Sequence, residues 1–297
     1  GFDRPLVLVS SETNDLVNLP PLPAWPAQAG AIQAGRVVAY DPAIDQYRTI
    51  LGMGRHNHEN TVAIPGYGQA VVLSGDDTFS PPSSQLYMYV ADDADAVWND
   101  EGHLYAFMSD NPAVNDYGDL CGTQWVSGTF IPVPDEIADG NQTALENWSN
   151  DNNVFQFIRI EDLAYDKSRS NILYFADTGE PRAIPNPATG RLMRGPSGTQ
   201  GPYPNGRIFK MVLDPNNPLV VKRLSILVDG DTGGYGNPAV LHNPDNIETT
   251  RFSVMIQEDP GSHNSFAPDA PNGVAARVWR YDLRKNKLTV VAEVDQS

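Results

Sequence analysis

The sequence predicts an all-β fold, and three observations carry that expectation. Apolar and polar side chains alternate along many short runs, helical periodicity is scarce, and twenty-five Pro and twenty-five Gly in 297 residues would interrupt most long helices. Beyond the repeats described next, β-like runs occur at Leu6–Ser10, Gln69–Leu73, Leu86–Val90, Gly102–Phe107, Asn171–Ala176 and Phe252–Gln257. Only Asp139–Trp148, within a loop-like stretch, has room for a helical turn or two.

Two repeats organise these runs. In the first, an acidic or amide pair stands just before a β-like run: His58-Glu59-Asn60 before Thr61–Asp77, Ile160-Glu161-Asp162 before Leu163–Thr178, and Pro244-Asp245-Asn246 before Ile247–Asp259. Any one of these residues reads most simply as a turn former. Their recurrence suggests instead that Glu59, Glu161 and Asp245 point oxygens at one shared centre, the way a repeat protein builds a multi-carboxylate metal site. In the second repeat, Arg36–Asp41, Arg207–Val212 and Arg277–Asp282 each alternate in polarity. Each runs through a turn (Pro42–Asp45, Asp214–Pro218, Arg284–Lys287) into another β-like run (Tyr47–Leu51, Val220–Val228, Leu288–Val294), which is the hairpin signature. Four-stranded units of about 40–45 residues fit a β-propeller of roughly six blades better than a sandwich. Residues 1–297 then read as one propeller domain, with Glu59, Glu161 and Asp245 at one mouth of its channel. The start at Gly1 without Met or signal peptide fits a processed, trimmed or partial product, and the ring is expected to be incomplete at either end unless the two ends close it together.

Composition narrows the partners. Asp plus Glu number 37 against 20 Lys plus Arg, a net charge of −17, so a nucleic-acid backbone would be repelled. No apolar run approaches the ~20 residues that span a bilayer, and no basic amphipathic helix suits a membrane surface. The single cysteine, Cys121, excludes an intrachain disulfide framework and a CxxC zinc site, and it reads as an inert small residue. The five histidines lack metalloprotease spacing, and neither a Gly-x-Ser-x-Gly elbow nor a Walker loop is present. Asn141-Gln-Thr143 and Asn147-Trp-Ser149 match the glycosylation sequon, which matters only in a eukaryotic secretory host.

In order along the chain, Ser10-Ser11-Glu12 is similar to a Thr-Cys-Glu-Glu motif and Gly54-Arg55-His56-Asn57-His58-Glu59 to Gly-Arg-x-x-His-Glu. Ser74-Gly75-Asp76-Asp77 followed by Gln85–Val90 is similar to a Gly-Asp-Asp…Tyr-Lys-Phe-Val run, Arg159–Asp162 to Arg-Pro-Glu-Asp, and Pro244-Asp245-Asn246 to Pro-Asp-Asn. The ordered set, from about Leu8 to Asp282, resembles the PhoX-type alkaline phosphatases, calcium-dependent secreted enzymes with a six-bladed propeller and an iron–calcium centre. The resemblance implies that Glu12, Glu59, Glu161 and Asp245 are metal ligands, that Arg159 holds substrate phosphate, that calcium is the cofactor and that the protein is secreted, periplasmic or extracellular. The family's iron-binding Cys falls at Ser11, and a neutral hydroxyl replaces a thiolate poorly on ferric iron, which argues against Fe3+. The family's last acidic motif, after the final hairpin, has no counterpart before Ser297.

The residues make this chemistry coherent. Carboxylates that hold multivalent cations let a net-acidic protein bind an anion, and an Arg beside them adds a planar fork for two phosphate oxygens. A surface Arg159 that merely pairs with Glu161 is the plainer alternative. Three functions stay open: a calcium-dependent phosphomonoesterase acting on small phosphate esters, a catalytically silent propeller that uses calcium structurally within a larger surface assembly, and a different propeller hydrolase of lactonase or phytase-like type.

Overall fold

The computed structural model describes residues 4–12, 34–78, 84–235, 237–260 and 273–295. Strand accounts for 47% of the chain and helix for 11%, so the fold is all-β. The strands fall into four successive units. The first is β1 (Val7–Ser10), β2 (Val37–Asp41) and β3 (Gln46–Ile50). The second is β4 (His58–Ala63), β5 (Ala70–Asp76), β6 (Leu86–Ala91) and β7 (His103–Ser109), followed by β8 (Trp125–Pro132). The third is β9 (Ile160–Asp166) and β10 (Arg169–Asp177), a small ribbon of β11 (Ala183–Pro185) and β12 (Leu192–Arg194), then β13 (Arg207–Asp214) and β14 (Asn217–Asp229). The fourth is β15 (Pro244–Thr249), β16 (Ser253–Glu258), β17 (Arg277–Asp282) and β18 (Lys287–Glu293).

Within each unit neighbouring strands pair antiparallel in sequence order, apart from the β11–β12 ribbon. Strand β8 pairs with both β7 and β14, which joins the second and third units at their outer strands into one nine-stranded sheet, β4-β5-β6-β7-β8-β14-β13-β10-β9. Its two edge strands, β4 and β9, pack against each other, so the sheet nearly closes into a barrel. The units follow one another with a constant step. First strands pack together, β4 on β9 and β9 on β15, while β1, β5 and β10 each touch the first strand of the unit that follows: β4, β9 and β15.

The arginine hairpins of the sequence are the last two strands of their units. Arg36 precedes β2, Arg207 opens β13 and Arg277 opens β17, all buried. Each guanidinium ties a distant loop to its sheet by donating to backbone carbonyls: Arg36 to Leu51, Ala138, Asp139 and Gly140, Arg207 to Tyr117 and Leu120, Arg277 to Pro238 and Val240. Asp45 and Asn286 hold the same left-handed turn position in two of these hairpins, at φ 52° and 49°, a conformation that Asp and Asn tolerate.

The helical turn expected within Asp139–Trp148 is the helix α3 (Gln142–Asp151), and α1 (Ala94–Trp98) and α2 (Asp135–Ala138), which the sequence analysis did not anticipate, precede it. Asn141 caps α3, accepting from the Ala144 amide at 2.9 Å, and Leu145 and Ser149, one turn apart, are buried.

The barrel interior holds the largest core cluster. Phe157 sits within it, its ring 4.8 Å from Phe155 and 5.3 Å from both Phe175 and Phe209, centroid to centroid. Phe157→Ala should lower stability by about 3–5 kcal/mol through lost burial and the cavity left behind, measured by denaturant unfolding.

Candidate metal centre

One backbone contact recurs where the first two strands of a unit meet. The Asp77 amide donates to Asn57 O at 2.9 Å, the Thr178 amide to Arg159 O at 3.0 Å and the Asp259 amide to Asn243 O at 2.9 Å. Glu59, Glu161 and Asp245 each lie two residues beyond the accepting residue, as the second residue of β4, β9 and β15. The three acids are therefore structural equivalents. The residue after each acid lies on the opposite side of the strand, and two of these side chains lace the strands together. Asn60 donates its side-chain amide to Asp162, and Asp162 accepts the Ile247 amide of the next first strand at 2.9 Å.

This packing brings the acids together. Glu59, Glu161 and Asp245 each place an oxygen within 4.8 Å of the others, and Glu12, Glu59 and Asp77 form a second such group that shares Glu59. Glu161 and Asp77 are buried, Glu59 and Asp245 half-buried, and Glu12 exposed.

Arg159 is neither on the surface nor paired mainly with Glu161. It is 4% exposed and grips Asp77 with two parallel bonds, Nε to Oδ1 at 2.7 Å and Nη2 to Oδ2 at 2.8 Å, while Glu161 Oε1 lies 3.3 Å from Nη2. Its backbone is fixed from below by the buried Asp177 carboxylate, which accepts the amides of Ile158 and Arg159.

Asp77 is the site residue that the sequence analysis left without a role. Its signal was the Gly75-Asp76-Asp77 run at the end of β5. A Cβ on Gly75 would meet Ile160 Cγ2 at 2.5 Å, so glycine is what lets β9 come close enough to β5 for Arg159 to reach Asp77. Acids recur at this strand end, as Glu12 after β1 and as Glu258-Asp259 in the fourth unit.

The electrostatics are those of a site built for positive charge. At an effective dielectric of about 20, two carboxylates at such separations repel by about 3 kcal/mol. Burial, then Glu12, Asp77 and Asp245, push the Glu59 carboxyl up to about 8. Burial, then Asp259 and Asp77, push Asp245 up to about 6. Glu161 is raised well above the usual carboxylate range by burial and Asp77, against the pull of Arg159. Arg159 is held above its ordinary value, since the pull of burial is outweighed by Asp77 and Glu161.

The donors suit a hard cation. Both groups are carboxylates, and the ~2.3–2.6 Å bonds of Ca2+ allow two ligand oxygens on one ion to stand up to about 5 Å apart. Softer donors are engaged elsewhere: Cys121 is exposed and bonds Gln124, and His58 Nδ1 lies 2.6 Å from Ser74 Oγ. At the position of the expected thiolate, Ser11 Oγ accepts the Gly35 amide at 3.3 Å.

Fold and site together define an all-β protein with an acid-lined centre able to hold a metal. A family model described as alkaline phosphatase PhoX matches residues 33–290, and the chain belongs to that family. The match spans Glu59, Asp77, Arg159, Glu161 and Asp245, while Glu12 precedes it. No curated protein matches the chain. Membership supports an alkaline phosphatase-like function, and the family is metal-dependent.

The raised carboxyls set a pH signature. Folded Glu59 and Asp245 keep protons that the unfolded chain releases, so the metal-free protein should lose stability as pH rises from about 4.5 through about 8. Melting temperatures in chelator should fall across that window, and added calcium should flatten the fall.

Proposed function

We propose that this protein is a calcium-dependent phosphomonoesterase whose cation centre is formed by Glu59, Asp77, Glu161 and Asp245, with Glu12 at its exposed side. The observation that carries this reading is the convergence of equivalent acids from three successive units beside a buried arginine, in a chain of the PhoX family. The substrate is then a small phosphate ester, and the protein acts outside the cytoplasm. Among the described residues, no helix is long and apolar enough to cross a membrane. The four units are read as blades of one propeller domain, roughly six-bladed when closed.

The division of labour follows from charge. A multivalent cation at the centre would supply positive charge against the negative charge developing on the phosphoryl oxygens. The carboxylates hold that cation, Arg159 offers a planar fork to two phosphate oxygens, and the lacing of Asn60 and Asp162 keeps the acids in place.

A second reading, a catalytically silent protein stabilised by calcium within a surface assembly, is favoured by Ser11, a neutral hydroxyl bonded to the Gly35 amide where the family has a thiolate. Hydrolysis of p-nitrophenyl phosphate separates the two. The phosphatase reading expects turnover with calcium, its loss on chelation and its return on calcium addition. Absence of turnover with every metal tested, alongside melting that still rises with calcium, selects the silent reading.

Two substitutions refine the roles. Glu161→Gln should reduce calcium affinity and turnover together, because it removes ligand charge. Arg159→Lys should reduce turnover and also lower the melting temperature, because the ammonium leaves part of the buried Asp77 carboxylate poorly satisfied.

A further inference from the structure

Asp77 belongs to two arrangements at once. Its carboxylate fills the fork of Arg159, and one of its oxygens lies within 4.8 Å of ligand oxygens of Glu12 and Glu59. We propose that Asp77 is a latch that makes anion binding conditional on cation loading: without a cation it occupies the guanidinium of Arg159, and with one it turns toward Glu12 and Glu59 and leaves the fork to a phosphoryl group.

Three observations support the latch. A carboxylate and a phosphoryl group use the same pair of parallel guanidinium N–H donors, so Asp77 at 2.7 and 2.8 Å and an incoming phosphate compete for one seat. Both partners are buried, so water weakens this internal competitor little. The Asp77 backbone is pinned at both polar groups, its amide donating to Asn57 O at 2.9 Å and its carbonyl accepting from Asn57 Nδ2 at 2.8 Å, which leaves the exchange to side-chain torsions alone. The arrangement is particular to one unit. The equivalent positions are Thr178 and Asp259, and it is Asp77 that meets an arginine fork.

This role rests on reading the carboxylates as a cation site, and the two ideas fail separately. The test is calorimetric titration of inorganic phosphate into chelator-treated protein, with and without calcium. Wild type should bind phosphate with calcium and at least about tenfold more weakly without it, since the binding-competent form is then scarce. Asp77→Asn, which keeps shape but loses charge, should bind phosphate without calcium at least about tenfold more tightly than metal-free wild type, and adding Arg159→Lys to that variant should abolish the gain. A merely structural Asp77 would give no such gain. Equal phosphate affinity of wild type with and without calcium overturns the latch, as does a folded Asp77→Asn with no gain. Calcium-dependent phosphate binding without ester hydrolysis overturns the phosphatase reading and leaves the latch standing. Should Asp77→Asn fail to fold, the 15N resonance of Arg159 Nε in wild type decides: the latch requires it to move on calcium addition, and an unmoved resonance overturns it.

Discussion

Holding like charges together is the constraint from which this structure is best understood. Glu59, Glu161 and Asp245 approach within 4.8 Å although their repulsion opposes it, and the fold meets the cost with backbone. Each acid sits at one register of a first strand, fixed by the same amide-to-carbonyl bond at the strand's start. The strands are spaced by Asn60 and Asp162, which spend their polar groups between strands. Arg159 offsets part of the charge from within, and the raised carboxyls of Glu59 and Asp245 record what is left. A multivalent cation is the natural remainder of that balance.

The repeat is asymmetric at the centre. The position two residues before the acid is Asn57, Arg159 or Asn243, so equivalent backbone presents two amides and one guanidinium. The strand-end position is Asp77, Thr178 or Asp259. One arginine and one acid, contributed by adjacent units, thus meet in a pair of parallel hydrogen bonds.

Much of this was legible in the sequence because it is local. Period-two alternation gave the arginine hairpins, and recurrence of an acid at one strand position gave Glu59, Glu161 and Asp245. The buried role of Arg36, Arg207 and Arg277 was not legible, since their acceptors are carbonyls of distant loops. The partner of Arg159 was not legible for the same reason: its neighbour in sequence is Glu161, two residues on, whereas Asp77, whose carboxylate it grips, lies 82 positions away. Asp77 stood in a Gly-Asp-Asp run to which the sequence analysis gave no role. The joining of two units through β8 depends on pairing with β14, and nothing in the local pattern of either strand names the other. Helix α1 is a five-residue turn set by the Asp93 cap, too short to show a period.

Glu59 stands in both acidic groups, so it carries the central claim that these carboxylates form one cation site. Calorimetric titration of calcium into chelator-treated protein, wild type against Glu59→Gln, tests that claim most directly. The account predicts saturable calcium binding by wild type, weakened about tenfold or more in a folded Glu59→Gln variant. Equal calcium affinity in the two proteins, or no calcium binding by wild type, would contradict it.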